Sequence, residues 1–236
     1  AMASEPDRLA HTQAAEWGSG LALLPLAATL GYYLLPAALQ ERTLVQLIPQ
    51  LLAYLALCLW ASRNHSVWPR LGLGKMNTWN GLRWGITTGL LLGALNTFAI
   101  LSIYPALGYD ITFLKQTPHG RLPILLMVPW VICFIALFVE LNFRGFLLGR
   151  LAALESFLSK SWTNGTFTPL ALSASALLFA FDPFLVNTFQ HLHWIAFWDG
   201  LIWGAIRLHT GNLSITIVAH AVEVTIMYLA VRAAIG

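Results

Sequence analysis

Charged residues are scarce in this sequence, and that scarcity excludes most soluble folds. Only 10% of the 236 residues are Asp, Glu, Lys or Arg, against about 25% in a typical soluble domain. Apolar residues make up 58% of the chain. A bilayer accommodates such a composition, because each membrane-spanning helix needs about 20 consecutive apolar residues. The composition therefore predicts an integral membrane protein with the lipid bilayer as its first partner.

Cysteine and concentrated positive charge are also nearly absent. The two cysteines, Cys58 and Cys133, lie in apolar runs, which is typical of small buried side chains rather than of a disulfide. The formal net charge is +3, and the basic residues are scattered between apolar blocks. Because phosphate binding needs a concentrated basic surface, we do not expect a nucleic acid as a partner.

What the sequence does contain is a series of apolar blocks. They run approximately over 20–40, 43–61, 82–106, 122–150, 168–187, 193–209 and 212–234. The pattern predicts an all-α transmembrane bundle of seven to eight helices that forms a single domain over 20–236. The block over 122–150 is too long for one straight span, so an interfacial or re-entrant piece is expected near Arg150. The polar residues 1–19 predict an N-terminal segment without a cleavable signal peptide.

The orientation of the bundle follows from the short connections between blocks. The connection over 62–83 contains four basic residues and no acidic one; they are Arg63, Arg70, Lys75 and Arg83. The positive-inside rule places this connection in the cytoplasm. Counting spans then places the N-terminus in the cytoplasm and 107–121 outside. We expect the protein in a bacterial inner membrane.

Two charged residues in the fourth block need a reason, because a charge at the bilayer centre costs about 2.5–3.5 kcal/mol on insertion scales. Glu140 and Arg144 are four residues apart, which puts both on one helix face within reach of an ion pair. They could neutralise each other and lock neighbouring helices together. Alternatively, they belong to a catalytic site.

A second pair of ionisable residues lies in the last block. His220 and Glu223 are three residues apart and share a helix face. His220 follows Thr210-Gly211-Asn212-Leu213, a turn and a helix start, by about two turns. A histidine with two carboxylates, Glu140 and Glu223, could hold a divalent metal or activate a water. The residues neither require a cofactor nor exclude a metal.

A third group surrounds the start of the sixth block. His191, His193 and Asp199 lie there, and Asp182 ends the fifth block. Because His191 and His193 are two residues apart, they point to different faces of a helix. The plainer interpretation is a set of interfacial polar residues. The other is that one of them joins the site of Glu140 and His220.

At these residues the sequence resembles the CAAX-protease and bacteriocin-processing family of intramembrane endopeptidases, over roughly 70–235. The resemblance rests on motifs in the expected order and spacing. They are Leu71-Gly72-Leu73 before a glycine-rich span, Glu140-Leu141-Asn142-Phe143-Arg144-Gly145-Phe146-Leu147, Leu177-Leu178-Phe179-Ala180, Gly200-Leu201, Gly204, Thr210-Gly211-Asn212-Leu213 and His220. It implies a helical bundle whose site is buried in the membrane and opens toward the cytoplasm. In active members a first glutamate activates a water, and histidines and an asparagine stabilise the oxyanion.

This sequence departs from the family pattern at three positions. Val139 stands where the first glutamate is expected, Pro183 where the histidine of Phe-x-x-x-His is expected, and Val224 replaces the polar residue four after His220. Of the catalytic set, Glu140, Arg144 and His220 remain.

Two functions are compatible with these departures. The first is a family member with a lost or reworked protease site, which acts as a subunit or scaffold of a membrane complex and holds a hydrophobic peptide in the cleft. The alternative is an active endopeptidase built from Glu140 and His220, with Glu223 and either His191 or His193 as substitutes. A transporter is less favoured, since no inverted repeat with broken helices is evident.

Overall fold

The computed structural model of the protein describes residues 17–74, 78–159 and 168–236. Most of the predicted segment 1–19, together with Lys75, therefore lies outside the described residues. Within these ranges the regular elements are helices, and no strand is present. The predicted all-α class is confirmed.

Eight longer helices follow one another along the described chain. They are α1 (Leu23–Tyr33), α2 (Thr43–Arg63), α3 (Trp79–Ala106), α4 (124–159), α5 (Pro169–Ala180), α6 (Pro183–Phe189), α7 (His193–Thr210) and α8 (Leu213–Ile235). Short helical turns connect several of them. The helix bounds lie close to the apolar blocks, because lipid rewards long uninterrupted helices that satisfy their own backbone groups.

Membrane spans are fewer than the block count predicts when length and hydropathy are applied strictly. Within the described ranges, three helices, α2, α3 and α8, are long and apolar enough to cross a bilayer, and a fourth span exists if α5 and the α6–α7 segment are counted as one bent pair. The bend between them is 50°. The prediction of seven to eight spans is therefore not confirmed.

The long fourth block forms one helix rather than a span followed by a re-entrant piece. Helix α4 runs without a break over 124–159 and contains two π-helical stretches, Val131–Ile135 and Leu141–Leu147. A re-entrant piece near Arg150 is not formed, because Arg150 lies inside the unbroken α4 and is fully buried. An interfacial continuation of this helix stays a prediction. Its guanidinium lies 4.3 Å from the centroid of the Trp60 ring, a contact that stabilises a cation away from water.

Helices α3 and α8 pack closely and in parallel through a row of glycines. Gly81, Gly85, Gly89 and Gly93 recur every four residues along α3 and face successive turns of α8, from Ser214 to Ile226. A Cβ at Gly89 would lie 2.6 Å from the backbone oxygen of Ala219. Small residues at this spacing let helix backbones approach within a membrane. The row therefore fixes how α8, which carries His220, sits against α3.

The start of α8 is tied to the connection before α3. The Leu213 amide donates to the Gly72 carbonyl at 2.9 Å, and the side chain of Asn212 caps α8 by accepting from the Ser214 amide at 2.9 Å. Gly211 ends α7 with φ of 66°, a left-handed conformation that glycine adopts at no steric cost. The turn and helix start predicted from Thr210-Gly211-Asn212-Leu213 are confirmed.

Candidate functional site

Glu140 lies at the centre of a buried polar cluster formed by α4 and α8. Its Oε1 atom is 3.1 Å from Nη1 of Arg144 and 3.0 Å from Nδ1 of His220. The Glu140 and Arg144 side chains are 0% and 1% exposed. The ion pair predicted from the four-residue spacing is present, and His220 joins it from 80 residues away.

Two aromatic rings pack against this cluster. The guanidinium of Arg144 lies 4.1 Å from the centroid of the Phe179 ring and 5.1 Å from that of Trp203. The Trp203 ring also stacks on His220, with centroids 4.8 Å apart. The rings supply a cation–π contribution that partly offsets the cost of burying the guanidinium.

A second buried cluster, formed by α3, α7 and α8, lies beside the first. The Asn96 Nδ2 atom donates to both oxygens of Asp199 at 3.1 Å and to Oε1 of Glu223 at 2.5 Å. The indole Nε1 of Trp198 donates to Oδ1 of Asn96 at 2.9 Å and thereby orients the amide. The two carboxyl groups are within hydrogen-bonding reach of each other. We refer to Asn96, Trp198, Asp199 and Glu223 as the carboxyl cluster.

A cavity of about 1000 Å³ adjoins both clusters. Its wall is mainly apolar and contains side chains from α2, α4, α7 and α8 together with the 112–122 connection. His220, Asp199 and Glu223 line it, while Glu140 and Arg144 lie behind His220. Because Nδ1 of His220 faces Glu140, Nε2 is the ring nitrogen left for an occupant of the cavity. The cavity combines a large apolar wall with a few convergent polar groups, as small-molecule sites do.

The three departures from the family pattern have different surroundings. Val139 and Val224 both line the cavity, so the wall is apolar where the resemblance places a glutamate and a polar residue. Pro183 is the first residue of α6, and the side chain of Asp182 caps that helix by accepting from the Leu185 amide at 3.1 Å. Asp182 also accepts from Gln50 at 2.8 Å. It therefore serves a structural role at the break between α5 and α6.

The two candidate substitute histidines lie away from Glu140 and His220. His191 stacks on Tyr109, with ring centroids 4.5 Å apart, and belongs to an aromatic group beside the 107–113 connection. His193 is at the start of α7, where its Nδ1 is 2.5 Å from the Gln190 carbonyl oxygen. The structure thus brings together Glu140, Arg144 and His220, places Glu223 in the adjoining cluster, and leaves both substitutes elsewhere.

The cavity extends toward one particular end of the bundle. It is lined by Ile100 near the end of α3, by residues of the 114–122 connection, and by the end of α8 from Tyr228 to Gly236. The start of α8 is bonded instead to Gly72, within the basic 62–83 connection. If the 62–83 connection is cytoplasmic, the cavity extends toward the opposite face. The positive-inside rule thus predicts a cavity that extends away from the cytoplasm, whereas the resemblance implies a site that opens toward it. The two expectations disagree.

A metal site is not formed by the part of the chain that the structure describes. Among those residues no group of three or more His, Cys, Asp and Glu side chains could hold a metal ion.

Two of the functional residues were missed or misplaced by sequence reasoning. Asp199 was interpreted as an interfacial residue, although α7 begins at His193 and places Asp199 nearly two turns inside it. Asn96 was not predicted to be a functional residue. The sequence signal that could have identified it is a single amide side chain within an apolar run.

One comparison with known proteins identifies a family. The model of the family described as type II CAAX prenyl endopeptidase Rce1-like matches residues 121–226. No curated protein and no solved structure matches the chain. The matched region contains Glu140, Arg144, Asp199 and His220, whereas Asn96 precedes it. The match covers fewer than half of the 236 residues, and over that region it supports membership of the CAAX-protease family.

Proposed function

We propose that this protein is a membrane-embedded family member that binds an extended apolar molecule, such as a hydrophobic peptide segment, and does not cleave it by the family's route. The observation that carries the proposal is the cavity of about 1000 Å³ with Val139 and Val224 in its wall. For an apolar segment that enters the cavity from water, apolar contact is worth about 25 cal/mol for each Å² removed from water. A long apolar ligand therefore gains its affinity from the wall rather than from catalytic groups.

The arrangement of Glu140 supports the loss of the family's reaction. A general base must reach the water that it activates, directly or through one other water. Glu140 is fully buried behind His220, and its Oε1 atom already meets Arg144 and His220. With Val139 in place of the first glutamate, no carboxylate stands at the wall position where the family's base is expected. Glu140 is better suited to holding α4 and α8 together.

The expected setting of this activity is a membrane complex. In this proposal the seven apolar blocks lie in a bacterial inner membrane with the N-terminus in the cytoplasm, and the protein acts as a subunit or scaffold. The large lipid-facing surface supports this, since Leu91, Leu125 and Leu170 are 68%, 86% and 73% exposed. Partner subunits and lipid both fit such a surface.

The proposal can be tested by photocrosslinking in lipid nanodiscs. A hydrophobic peptide with a photoreactive diazirine should label cavity residues of the purified protein, as located by mass spectrometry. Val224→Trp places a larger side chain in the cavity beside His220 and should reduce the labelling. The matched control Leu125→Trp adds the same side chain on a lipid-facing residue and should leave it unchanged. Equal labelling in both variants would refute binding in the cavity.

A working endopeptidase remains the second candidate, because Glu140 and His220 are in contact at 3.0 Å. The same peptide, incubated without irradiation, distinguishes the two. Turnover that is lost in both Glu140→Ala and His220→Ala would establish the enzyme. Labelling of the cavity without turnover, together with co-purification of a stoichiometric membrane complex, is the expected result.

A further inference from the structure

Three buried carboxyl groups lie near one guanidinium beside the cavity. Glu140, Asp199 and Glu223 are 0%, 3% and 0% exposed, and Arg144 is the cation that interacts with all three. Two carboxyl groups in one buried site cannot both be ionised at low cost, so Asp199 and Glu223 share one proton. With Glu140 balanced by Arg144, the carboxyl cluster keeps one negative charge.

Among the described residues, few hydrogen-bond donors reach this charge. Asn96 and Trp198 hold the cluster from α3 and α7. Apart from the proton shared with Asp199, no donor of the described residues reaches the buried Oε2 atom of Glu223, and both carboxyl groups line the cavity. An unpaired charge is costly away from water. The cavity side of the cluster therefore favours a ligand that brings positive charge and N–H donors.

The groups around this position fit a small cation. His220, which is 5% exposed, presents its remaining ring nitrogen to the cavity. The Trp203 and Phe179 rings, which contact Arg144, also line the cavity there and supply apolar contacts to a ligand. At the other end lie Lys115 and Arg232, so the two ends of the cavity differ in sign. An anionic ligand end is favoured near Lys115 and opposed at the carboxyl cluster.

We propose that the carboxyl cluster binds a primary ammonium group at the end of an apolar chain, such as the amino terminus of a hydrophobic peptide. The inference rests on the proposed function, because it assigns one end of the molecule that the cavity holds. Asp199 supplies the carboxylate nearest to the ligand, with Glu223 sharing its proton and charge. His220 and the aromatic rings complete the site, while the apolar wall contacts the chain.

Two probes that differ only in their end group test this inference. Dodecylamine and dodecanol, each with the same diazirine at mid-chain, are applied to the full-length protein in nanodiscs of zwitterionic lipid. Labelling of cavity residues is normalised to labelling of the lipid-facing Leu125, which corrects for unequal partition into the bilayer. The amine should half-saturate the cavity at a concentration about tenfold lower than the alcohol, a typical effect of one buried charge pair.

Variants of the cluster assign the preference to its residues. The double variant Asp199→Asn with Glu223→Gln keeps both side-chain shapes, removes the negative charge of the carboxyl cluster and should reduce the amine preference to near unity. Asp110→Asn removes one carboxylate from an exposed connection and should leave the preference intact. Because the wild-type comparison is decisive by itself, a cluster variant that fails to fold does not remove the test.

The remaining outcomes distinguish failure of the ammonium site from failure of the proposed binding function. Equal labelling of the cavity by amine and alcohol would overturn the ammonium site and leave the binding function standing. An amine preference that survives in the double variant Asp199→Asn with Glu223→Gln would also overturn it. If neither probe nor the hydrophobic peptide labels the cavity, the proposed function itself fails.

Discussion

The Nδ1 atom of His220 lies 3.0 Å from the Oε1 atom of Glu140, although 80 residues separate them along the chain. This contact joins α4 to α8 at the centre of the bundle. The same carboxylate oxygen meets Arg144 at 3.1 Å. A buried carboxylate with two partners resists displacement of either helix, since the loss of one partner leaves an uncompensated group away from water.

Removing the guanidinium should therefore destabilise the protein strongly. Arg144→Met leaves Glu140 without its cation, and we expect the free energy of unfolding to fall by about 3–5 kcal/mol. The double variant Arg144→Met with Glu140→Gln removes both charges and should recover a large part of that loss. The measurement is chemical unfolding of the purified protein in detergent. A single variant that costs less than about 1 kcal/mol would show that the pair does not hold the helices together.

The Glu140 cluster could be predicted from the sequence more completely than the carboxyl cluster. The spacing of Glu140 and Arg144 is local, and helical geometry alone places them on one face. Asn96, by contrast, meets Asp199 and Glu223 across 103 and 127 residues, and no spacing rule reaches so far. The cavity was also unpredictable in extent, because a void depends on how side chains from several helices fail to fill one space.

The helix bounds, too, could be predicted where they depend on neighbouring residues and not where they depend on distant ones. The apolar runs predicted α2, α3 and α8 within a few residues, since hydropathy is a local property. The break after α5 was not predicted, because it depends on Asp182 capping α6 and on Gln50 reaching Asp182 from α2. The continuity of α4 was missed for a related reason. An arginine such as Arg150 indicates the end of a membrane span in the sequence. The contact with the Trp60 ring, which lets it be buried inside the helix, is visible only in the structure.

The glycine row between α3 and α8 should not tolerate a side chain at its centre. Gly89→Ala would place a Cβ 2.6 Å from the backbone oxygen of Ala219, so the two helices would have to move apart. We expect a lower thermal unfolding midpoint and a weaker Glu140–His220 contact. Gly149→Ala in α4 is the matched control, because nothing lies within 4 Å of its Cβ. There the gain in helix propensity should stabilise the protein slightly, by up to about 1 kcal/mol.

Greater stability of Gly89→Ala than of the wild type would contradict the close approach of α3 and α8. The comparison needs only the two unfolding midpoints in one detergent. Both substitutions add a single methyl group within a helix, so the difference between their unfolding midpoints measures the packing between α3 and α8.

The connection that borders the cavity should loosen at acidic pH. His119 lies against the Phe189 ring, with centroids 5.7 Å apart, and burial lowers the pKa of His119 from its ordinary 6.5. The released connection binds the proton more strongly than the packed one. Packing of the 112–122 connection is therefore strongest above pH 6.5 and weakens as the pH falls below that value.

Hydrogen exchange of the 112–122 amides at pH 7.5 and 5.5 measures this effect, after correction for intrinsic rates. His119→Phe keeps a ring against Phe189 and cannot be protonated, so its protection should not depend on pH in this range. An equal loss of protection in the wild type and in His119→Phe would assign the change to another group.

The first turn of α8 should depend on the side chain of Asn212. Its Oδ1 atom accepts from the Ser214 amide at 2.9 Å, which satisfies one of the backbone donors that a helix start leaves unpaired. Asn212→Ala removes this acceptor and should cost about 1 kcal/mol in the free energy of unfolding. Asn212→Ser retains a capping oxygen and should restore most of that loss. Because the Leu213 amide also bonds to Gly72, the Ala variant should show faster amide exchange at the start of α8 and an unchanged rate around His220. Equal exchange and equal stability in the Ala and Ser variants would mean that the bond to Gly72 holds the turn without the cap.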